Sequence, residues 1–443
     1  MQISVVGTGY VGLVSGACLA AKGHTVTCVD INPQRVTDIN NGIPPIHEDG
    51  LPELMAEHVG TSLSATGDLN AAVMNSSVSL IAVGTPYKGD EIDLQYIRAV
   101  ATQIGEVLAN KDDYHVVIVK STVVPGTTED VVLPLLEEAS GKTAGVDFGV
   151  GMNPEFLREG VAIPDFMDPD RIVMGGIDDR TLDVMQEMYA PFADVDKMTT
   201  TPRTAEMIKY TANSLLATLI SFANEIGNIS SAVGVDVVEV MQGVHLDHRF
   251  NPILDDGGRL NPSFLTYVMA GPGFGGSCFP KDVKALVAHG KAKGSFPHVL
   301  DAVIDVNERQ PVRMVELLQE NLGDLKGKAV TVLGCAFKPG TDDVRESPSI
   351  PIIRHLVDAG AVVTVHDPIA LDGIKPDFGD TISYDENLDT ALSGAEGVMV
   401  VTTWPDYKDL PQKLAGVSPQ PPVVDGRRMF DVDDFENYAG IGR

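Results

Sequence analysis

The chain opens with a strand-like run, residues 3–6, that stops at Gly7-Thr8-Gly9-Tyr10-Val11-Gly12 and passes into a helix-like stretch ending near Gly23. A second apolar run, residues 26–29, ends at Asp30. Strand, glycine turn, helix, strand and acid, in that order, constrain the chain to a βαβ unit of the kind that holds a dinucleotide. Gly7 permits the tight turn, Gly9 lets backbone approach a pyrophosphate, and Gly12 allows helix to pack closely on strand. The phosphates then sit at the helix N-terminus. Asp30 lies eighteen residues past Gly12, where its carboxylate can accept hydrogen bonds from both ribose hydroxyls and repel a 2′-phosphate. That favours NAD over NADP.

Further strands are expected at residues 79–83, ending in Gly84-Thr85-Pro86, and at 115–119, ending in Lys120-Ser121-Thr122. Ligands of open α/β sheets bind beyond the carboxyl ends of the strands. Thr85 and Thr122 are therefore placed to meet cofactor or substrate, although a threonine at a strand end also serves as a helix cap. The pattern returns at 329–333, a helix-like 351–359, 362–365 ending in His366-Asp367-Pro368, and 398–401 ending in Thr402-Thr403-Trp404-Pro405. The expected fold is α/β, with two Rossmann-like doubly wound domains. The second lacks the spaced glycines, carrying Phe337-Lys338-Pro339-Gly340-Thr341 instead, so it is expected to bind a nucleotide differently or not at all. Between them, residues 204–232 read as one long helix, the alternative being two shorter helices broken near Gly227, with apolar positions at Met207, Ile208, Leu215, Leu219, Phe222, Ile226 and Ile229. It would span about 40 Å, joining the two units and packing against a second copy as a dimer core. The expected domains are 1–200 for cofactor, 201–310 for the helical and dimerisation region, and 325–443 for the second Rossmann-like unit.

At 443 residues and 44% apolar content the chain can bury more than one core. Its net charge of −30 repels nucleic acid and anionic lipid, so neither is an expected partner, and an anionic ligand would need a local basic pocket. We read the charge as a solubility feature. The cysteines, Cys18, Cys28, Cys278 and Cys335, form no C-x-x-C pair, so neither a disulfide scaffold nor a metal site is expected. His245 and His248 are three apart, but the chemistry below needs no metal. A secretory signal is a poor reading of the opening residues, and no apolar run approaches the ~18 residues of a membrane span. The expectation is a soluble cytoplasmic protein.

Three groups carry chemistry. Lys209 and Asn213, four apart, project from one face of the long helix, although a lysine among apolar neighbours is also an ordinary snorkelling residue. In Gly271-Pro272-Gly273-Phe274-Gly275-Gly276-Ser277-Cys278-Phe279-Pro280-Lys281-Asp282, glycines surround a cysteine and a carboxylate follows four residues later. A helix beginning after Pro280 would turn Asp282 back toward the thiol and, with Lys281, lower the cysteine pKa. A lone cysteine is otherwise a small buried hydrophobe, the reading we take for Cys18 and Cys28. In Asn153-Pro154-Glu155-Phe156-Leu157-Arg158-Glu159-Gly160 the two carboxylates could share a site or face water around a turn.

These groups, with Lys120-Ser121-Thr122-Val123, the run from Ala205 through Glu206 to Asn213, and Phe337-Lys338 with Arg345-Glu346-Ser347, resemble the nucleotide-sugar 6-dehydrogenase (UDP-glucose/GDP-mannose dehydrogenase) family. The motifs occur in family order over nearly the whole chain. The resemblance implies a four-electron oxidation of a sugar C6 hydroxyl to a carboxylate with two NAD, UDP-glucose being the expected substrate and GDP-mannose the rival. It implies that Cys278 forms a thiohemiacetal and then a thioester, that Lys209 and Asn213 stabilise oxyanions, that Asp282 with Thr122 positions a water, and that Glu155 acts in thioester hydrolysis. For the cofactor it implies Gly7, Gly9, Tyr10, Val11, Gly12, Asp30, Thr85, Thr122, Glu159 and, near the pyrophosphate, Arg345. For the sugar nucleotide it implies Glu155, Phe156, Leu157, Lys209, Asn213, Phe274, Gly275, Lys338 and Arg427, with Lys338 and Arg427 supplying the basic pocket. One departure stands out: Asp247-His248-Arg249 is followed by a longer stretch, residues 250–264, before the cysteine block. Arg249 or Arg259 is then the arginine expected to reach a neighbouring subunit's substrate. A sensor that kept the fold without turnover would leave Cys278 dispensable.

Overall fold

Short runs of Val, Ile and Leu that are apolar without alternation form strands covered on both faces, the signature of parallel sheet. In the computed structural model, which describes residues 1–88 and 91–443, two such sheets occur, one in each of the units Met1–Ala212 and Asn213–Arg443 into which the chain divides.

The first sheet comprises β1 (Gln2–Val6), β2 (Thr25–Val29), β3 (Leu63–Thr66), β4 (Val78–Ile81), β5 (His115–Val119), β6 (Phe148–Met152), β7 (Arg171–Gly176) and β8 (Asp196–Thr200). Their order is β8-β7-β6-β5-β4-β1-β2-β3. Six strands run parallel, and β7 pairs antiparallel with β6. One face buries Ile3, Leu13, Cys18, Cys28 and Met55; the other buries Ile81, Ile104, Val119 and Leu136. Burial pushes the thiols of Cys18 and Cys28 up to about 12, as befits small core residues.

The second sheet comprises β9 (Ala329–Leu333), β10 (Val362–His366), β11 (Ser383–Tyr384), β12 (Gly397–Val400), β13 (Val423–Asp425) and β14 (Tyr438–Gly440), ordered β11-β10-β9-β12-β13-β14 and parallel throughout. Helices His298–Leu322 and Ser349–Asp358 bury Met314, Leu318, Ile352, Ile353 and Leu356 in the same core as Val330, Val332 and Val398.

The helix between the sheets runs unbroken from Pro202 to Val233, 32 residues, and the division between the units falls within it. Leu215, Phe222 and Ile229, seven residues apart on this helix, are 58%, 51% and 52% exposed. Among the described residues, no helix is long and apolar enough to cross a membrane.

Candidate active site

In the first unit the strand order reverses between β1 and β4, which places a crevice beyond their carboxyl ends. A Cβ at Gly7, whose φ is +100°, would stand 2.8 Å from the Ala82 carbonyl oxygen, and one at Gly12 only 1.9 Å from that of Gly7. No side chain fits either position. At Gly9, which caps the helix Tyr10–Ala21, a Cβ would meet no atom within 4 Å. A pyrophosphate can therefore come against this backbone and the first amides of the helix, with half-buried Val11 in the opening turn.

Asp30, directly after β2, is held in place by its neighbours. Its carboxylate accepts from the Thr8 amide at 3.0 Å, the Thr8 hydroxyl and the Asn32 amide at 2.8 Å. Burial pushes its pKa up, but the Thr8 and Asn32 hydrogen bonds and the charge of Arg35 outweigh this and hold it below the ordinary value. These residues fit NAD. Thr85 and Thr122 are brought together, the Thr85 hydroxyl donating to the Thr122 carbonyl at 2.8 Å.

Sequence reasoning missed Glu48. It is 3% exposed and accepts from the Tyr10 hydroxyl, the Gly160 amide at 2.7 Å and the Ala162 amide at 2.6 Å. It thus ties the cofactor turn to the end of the 153–160 segment. Burial, with Glu48 and the charge of Glu159 adding, pushes the Tyr10 phenol far above its usual pKa and keeps it neutral. Glu159 accordingly lies by the cofactor turn, while Glu155 turns elsewhere, so the two carboxylates do not act as a pair.

Glu155 meets Lys209 at 2.8 Å, the two side chains 5% and 3% exposed. Lys209 is thus a buried ion-pair member and not a snorkelling surface residue. Burial raises the Glu155 pKa, yet the charge and hydrogen bond of Lys209, the Leu157 amide at 2.7 Å and the charge of Lys120 outweigh it, leaving Glu155 below the ordinary value. The Phe156 ring lies under the Arg171 guanidinium at 3.9 Å and 5.5 Å from Lys209 Nζ. Leu157 packs against the first core. One turn before Lys209, buried Glu206 accepts from the Gly126 amide at 2.5 Å and from the Thr128 amide and hydroxyl at 2.8 and 2.7 Å, fixing the loop that follows Thr122.

In the second unit Cys278 is the N-cap of the helix Phe279–Ala292, with Pro280 in its first turn. It is partly exposed, unlike Cys18, Cys28 and Cys335. The Asp282 amide donates to the Cys278 carbonyl at 2.8 Å. The Asp282 carboxylate, 1% exposed, accepts from Asn213 Nδ2 at 2.6 Å and Lys281 Nζ at 2.5 Å.

The glycines of this block are filled from within the chain more than the sequence suggested. A Cβ at Gly275 would lie 2.3 Å from the Glu346 carbonyl oxygen, and one at Gly276 2.9 Å from the Phe337 ring. Side-chain amides clamp the rest: Asn224 takes the Gly271 amide at 2.7 Å, Gln310 donates to the Gly271 carbonyl at 2.8 Å, and Asn307 bonds both backbone groups of Phe274. The Phe274 ring is buried with Ala217, Val283 and Val303, so what it can offer a ligand is apolar contact.

Lys338 and Arg427 converge on Phe337. Lys338 Nζ lies 5.9 Å from its ring centre, and Arg427 donates to its carbonyl at 3.4 Å and to that of Val401 at 2.8 Å. Burial lowers the Arg427 pKa to about 10. Arg345 pairs with Asp343 at 2.7 Å, and its carbonyl accepts from the Gly276 amide at 2.9 Å. Of the two candidate arginines, Arg259 folds back onto the Leu246 and Asn251 carbonyls at 3.0 and 3.1 Å and braces the 250–264 stretch. Arg249, paired with Asp247, is 82% exposed.

Asp367 follows β10 as Asp30 follows β2, but it is sealed. Oδ2 accepts from the Cys335 and Ala336 amides and the Trp404 indole, Oδ1 from the Ile369 and Ala370 amides, and the residue is 2% exposed. The second unit therefore cannot offer a ribose the acceptor that the first does.

The cradle around Gly7, Gly12 and Asp30, with a buried Lys–Glu pair in the same unit, assigns the chain to the NAD-dependent dehydrogenases. Comparison narrows that class. The NAD-binding, central and UDP-binding domain models of the UDP-glucose/GDP-mannose dehydrogenase family match residues 1–193, 203–309 and 331–432. A UDP-glucose 6-dehydrogenase of Haloferax volcanii is 44% identical, with all of both chains covered. A GDP-mannose 6-dehydrogenase of Pseudomonas aeruginosa is 42% identical over 83% of this chain and 81% of its own. The structure of a UDP-glucose dehydrogenase from Pyrobaculum islandicum superposes with a TM-score of 0.90 at 40% identity, covering 99% of this chain and 97% of that one. The chain belongs to the UDP-glucose/GDP-mannose dehydrogenase family.

Proposed function

We propose that the protein oxidises UDP-glucose to UDP-glucuronate with two NAD and one water. The observation that carries this reading is its end-to-end likeness to proteins named UDP-glucose 6-dehydrogenase, 44% identical in Haloferax volcanii and 40% in Pyrobaculum islandicum. NAD, when bound, accepts one hydride in each of the two oxidations. Asp30 takes the ribose hydroxyls, the Gly9 backbone and the helix start take the pyrophosphate, and Val11, Thr85, Thr122, Glu159 and Arg345 complete that site. The Cys278 thiol adds to the C6 aldehyde to give a thiohemiacetal, so the half-oxidised sugar is held covalently. The second oxidation leaves a thioester, which water cleaves to the carboxylate and the free thiol.

Lys209 and Asn213 stabilise the oxygen on C6 as it gains negative charge. Asp282, whose carboxylate is held by Asn213 and Lys281, positions a water with Thr122. Glu155, kept ionised by Lys209, accepts a proton during hydrolysis only weakly, so its main contribution is to fix the Lys209 ammonium. Phe156, Leu157, Phe274 and Gly275 contact the sugar nucleotide, and Lys338 and Arg427 meet its phosphates. We further infer a working division into 1–200, 201–310 and 325–443, a cytoplasmic site of action, and a homodimer in which the exposed Arg249 reaches the partner's substrate.

NADH release with UDP-glucose and with GDP-mannose, measured side by side, tests the substrate. UDP-glucose is expected to be turned over, and Cys278→Ser to abolish full turnover. Unaltered steady-state NADH release by Cys278→Ser would overturn the covalent route.

A further inference from the structure

Lys120, directly after β5, is a second buried cation beside the Glu155–Lys209 pair. It is 3% exposed, and its Nζ donates to Asn153 Oδ1 at 2.8 Å. The same oxygen accepts from the Tyr189 hydroxyl at 2.5 Å, and Asn153 Nδ2 donates to the Val173 carbonyl at 2.8 Å. The Phe166 ring centre lies 5.7 Å from the ammonium. Asn153 is thereby fixed from β5, from β7 and from the end of the helix Asp179–Met188, two residues ahead of Glu155. The charged groups facing Lys120 are Glu155, from the 153–160 segment, and Lys209, from the long helix; Tyr189 is kept neutral by burial.

Two ammoniums and one carboxylate leave this region with a surplus positive charge. In a dry environment that surplus is costly. Burial and the repulsion of Lys209 outweigh the attraction of Glu155 and bring the Lys120 pKa down to about 8. An oxyanion forming against Lys209 would remove the surplus and favour the charged Lys120.

We propose that Lys120 is a positioning residue for the oxidation, acting through Asn153 to hold the 153–160 segment and supplying the second cation that balances the oxyanion formed at Lys209. The inference rests on the UDP-glucose reading, which provides that oxyanion.

The test is the pH dependence of NADH formation from UDP-glucose by the full-length wild type, Lys120→Arg and Lys120→Met. Wild-type kcat/KM for UDP-glucose is expected to fall as pH rises through about 8. Lys120→Arg, charged throughout, should hold its kcat/KM over that range. Lys120→Met should lose roughly tenfold in kcat, less than a directly contacting oxyanion donor supplies, with KM for NAD unchanged and no limb near 8. The same alkaline limb in all three proteins would overturn the proposal.

Urea unfolding gives a readout that needs no turnover. The folded-state pKa lies below the unfolded value of 10.5, so the unfolded chain keeps a proton that the folded one has lost. Wild type should therefore gain stability relative to Lys120→Met as pH rises from about 8 to 10.5. Wild-type turnover without that gain overturns the Lys120 proposal alone; failure of the wild type to turn over UDP-glucose overturns the substrate reading, and the proposal that rests on it.

Discussion

The buried pair of Glu155 and Lys209 joins stability to chemistry at a single contact. Removing Glu155 leaves Lys209 charged and dry with Lys120 repelling it, so Glu155→Ala should cost about 3–5 kcal/mol in urea unfolding at neutral pH. The pH dependence has a definite sign. Glu155 has a folded-state pKa below its unfolded value of 4.5, so it binds fewer protons when folded, and its contribution is present above 4.5 and lost in more acid solution. The deficit of Glu155→Gln relative to wild type should accordingly shrink as pH drops below 4.5; a constant gap would show that charge is not what the pair contributes. Gly7, Gly12 and Asp30 were legible because their spacing has one geometric use. Lys120 was not, because a lysine after an apolar strand reads the same whether it meets solvent or Asn153.

At the scale of elements, strand runs were readable because burial on both faces forbids polar interruption, and only their ends shifted: the run expected at 79–83 is β4, Val78–Ile81. The long helix was readable from its periodicity and extends a little beyond 204–232, to Pro202–Val233. Loops were harder. Glu48, in an irregular segment, holds both the cofactor turn and residues near Gly160, and no local pattern marks such a non-local brace. Which of Arg249 and Arg259 folds back also depends on carbonyl positions that spacing does not encode. Leu215, Phe222 and Ile229 recur every seven residues with about half of each side chain exposed, the spacing of a helix seam. Phe222→Glu would place a charge in that seam. Light scattering should find wild type at twice the chain mass and Phe222→Glu at the chain mass; a wild type at the chain mass would defeat the dimer reading.

Across the whole molecule, a net charge of −30 acts against compactness through self-repulsion. The Debye length shrinks from ~10 Å at 0.1 M salt to ~3 Å at 1 M. The thermal midpoint should therefore rise between those concentrations of KCl, and a midpoint that falls would mean that surface ion pairs outweigh the repulsion. The repeated sheet was legible from repeated strand ends, but the different fates of its two acids were not. Both carboxylates accept from their own chain, but the Asp30 side chain keeps 10% exposure, whereas Asp367 is 2% exposed and sealed. On the proposed covalent route, two successive oxidations would use the crevice beside Asp30 in turn, the spent carrier departing and a fresh one arriving while the sugar stays moored at Cys278. The crevice would then work as a turnstile, and the mooring would matter most during that changeover, when an untethered aldehyde could drift away.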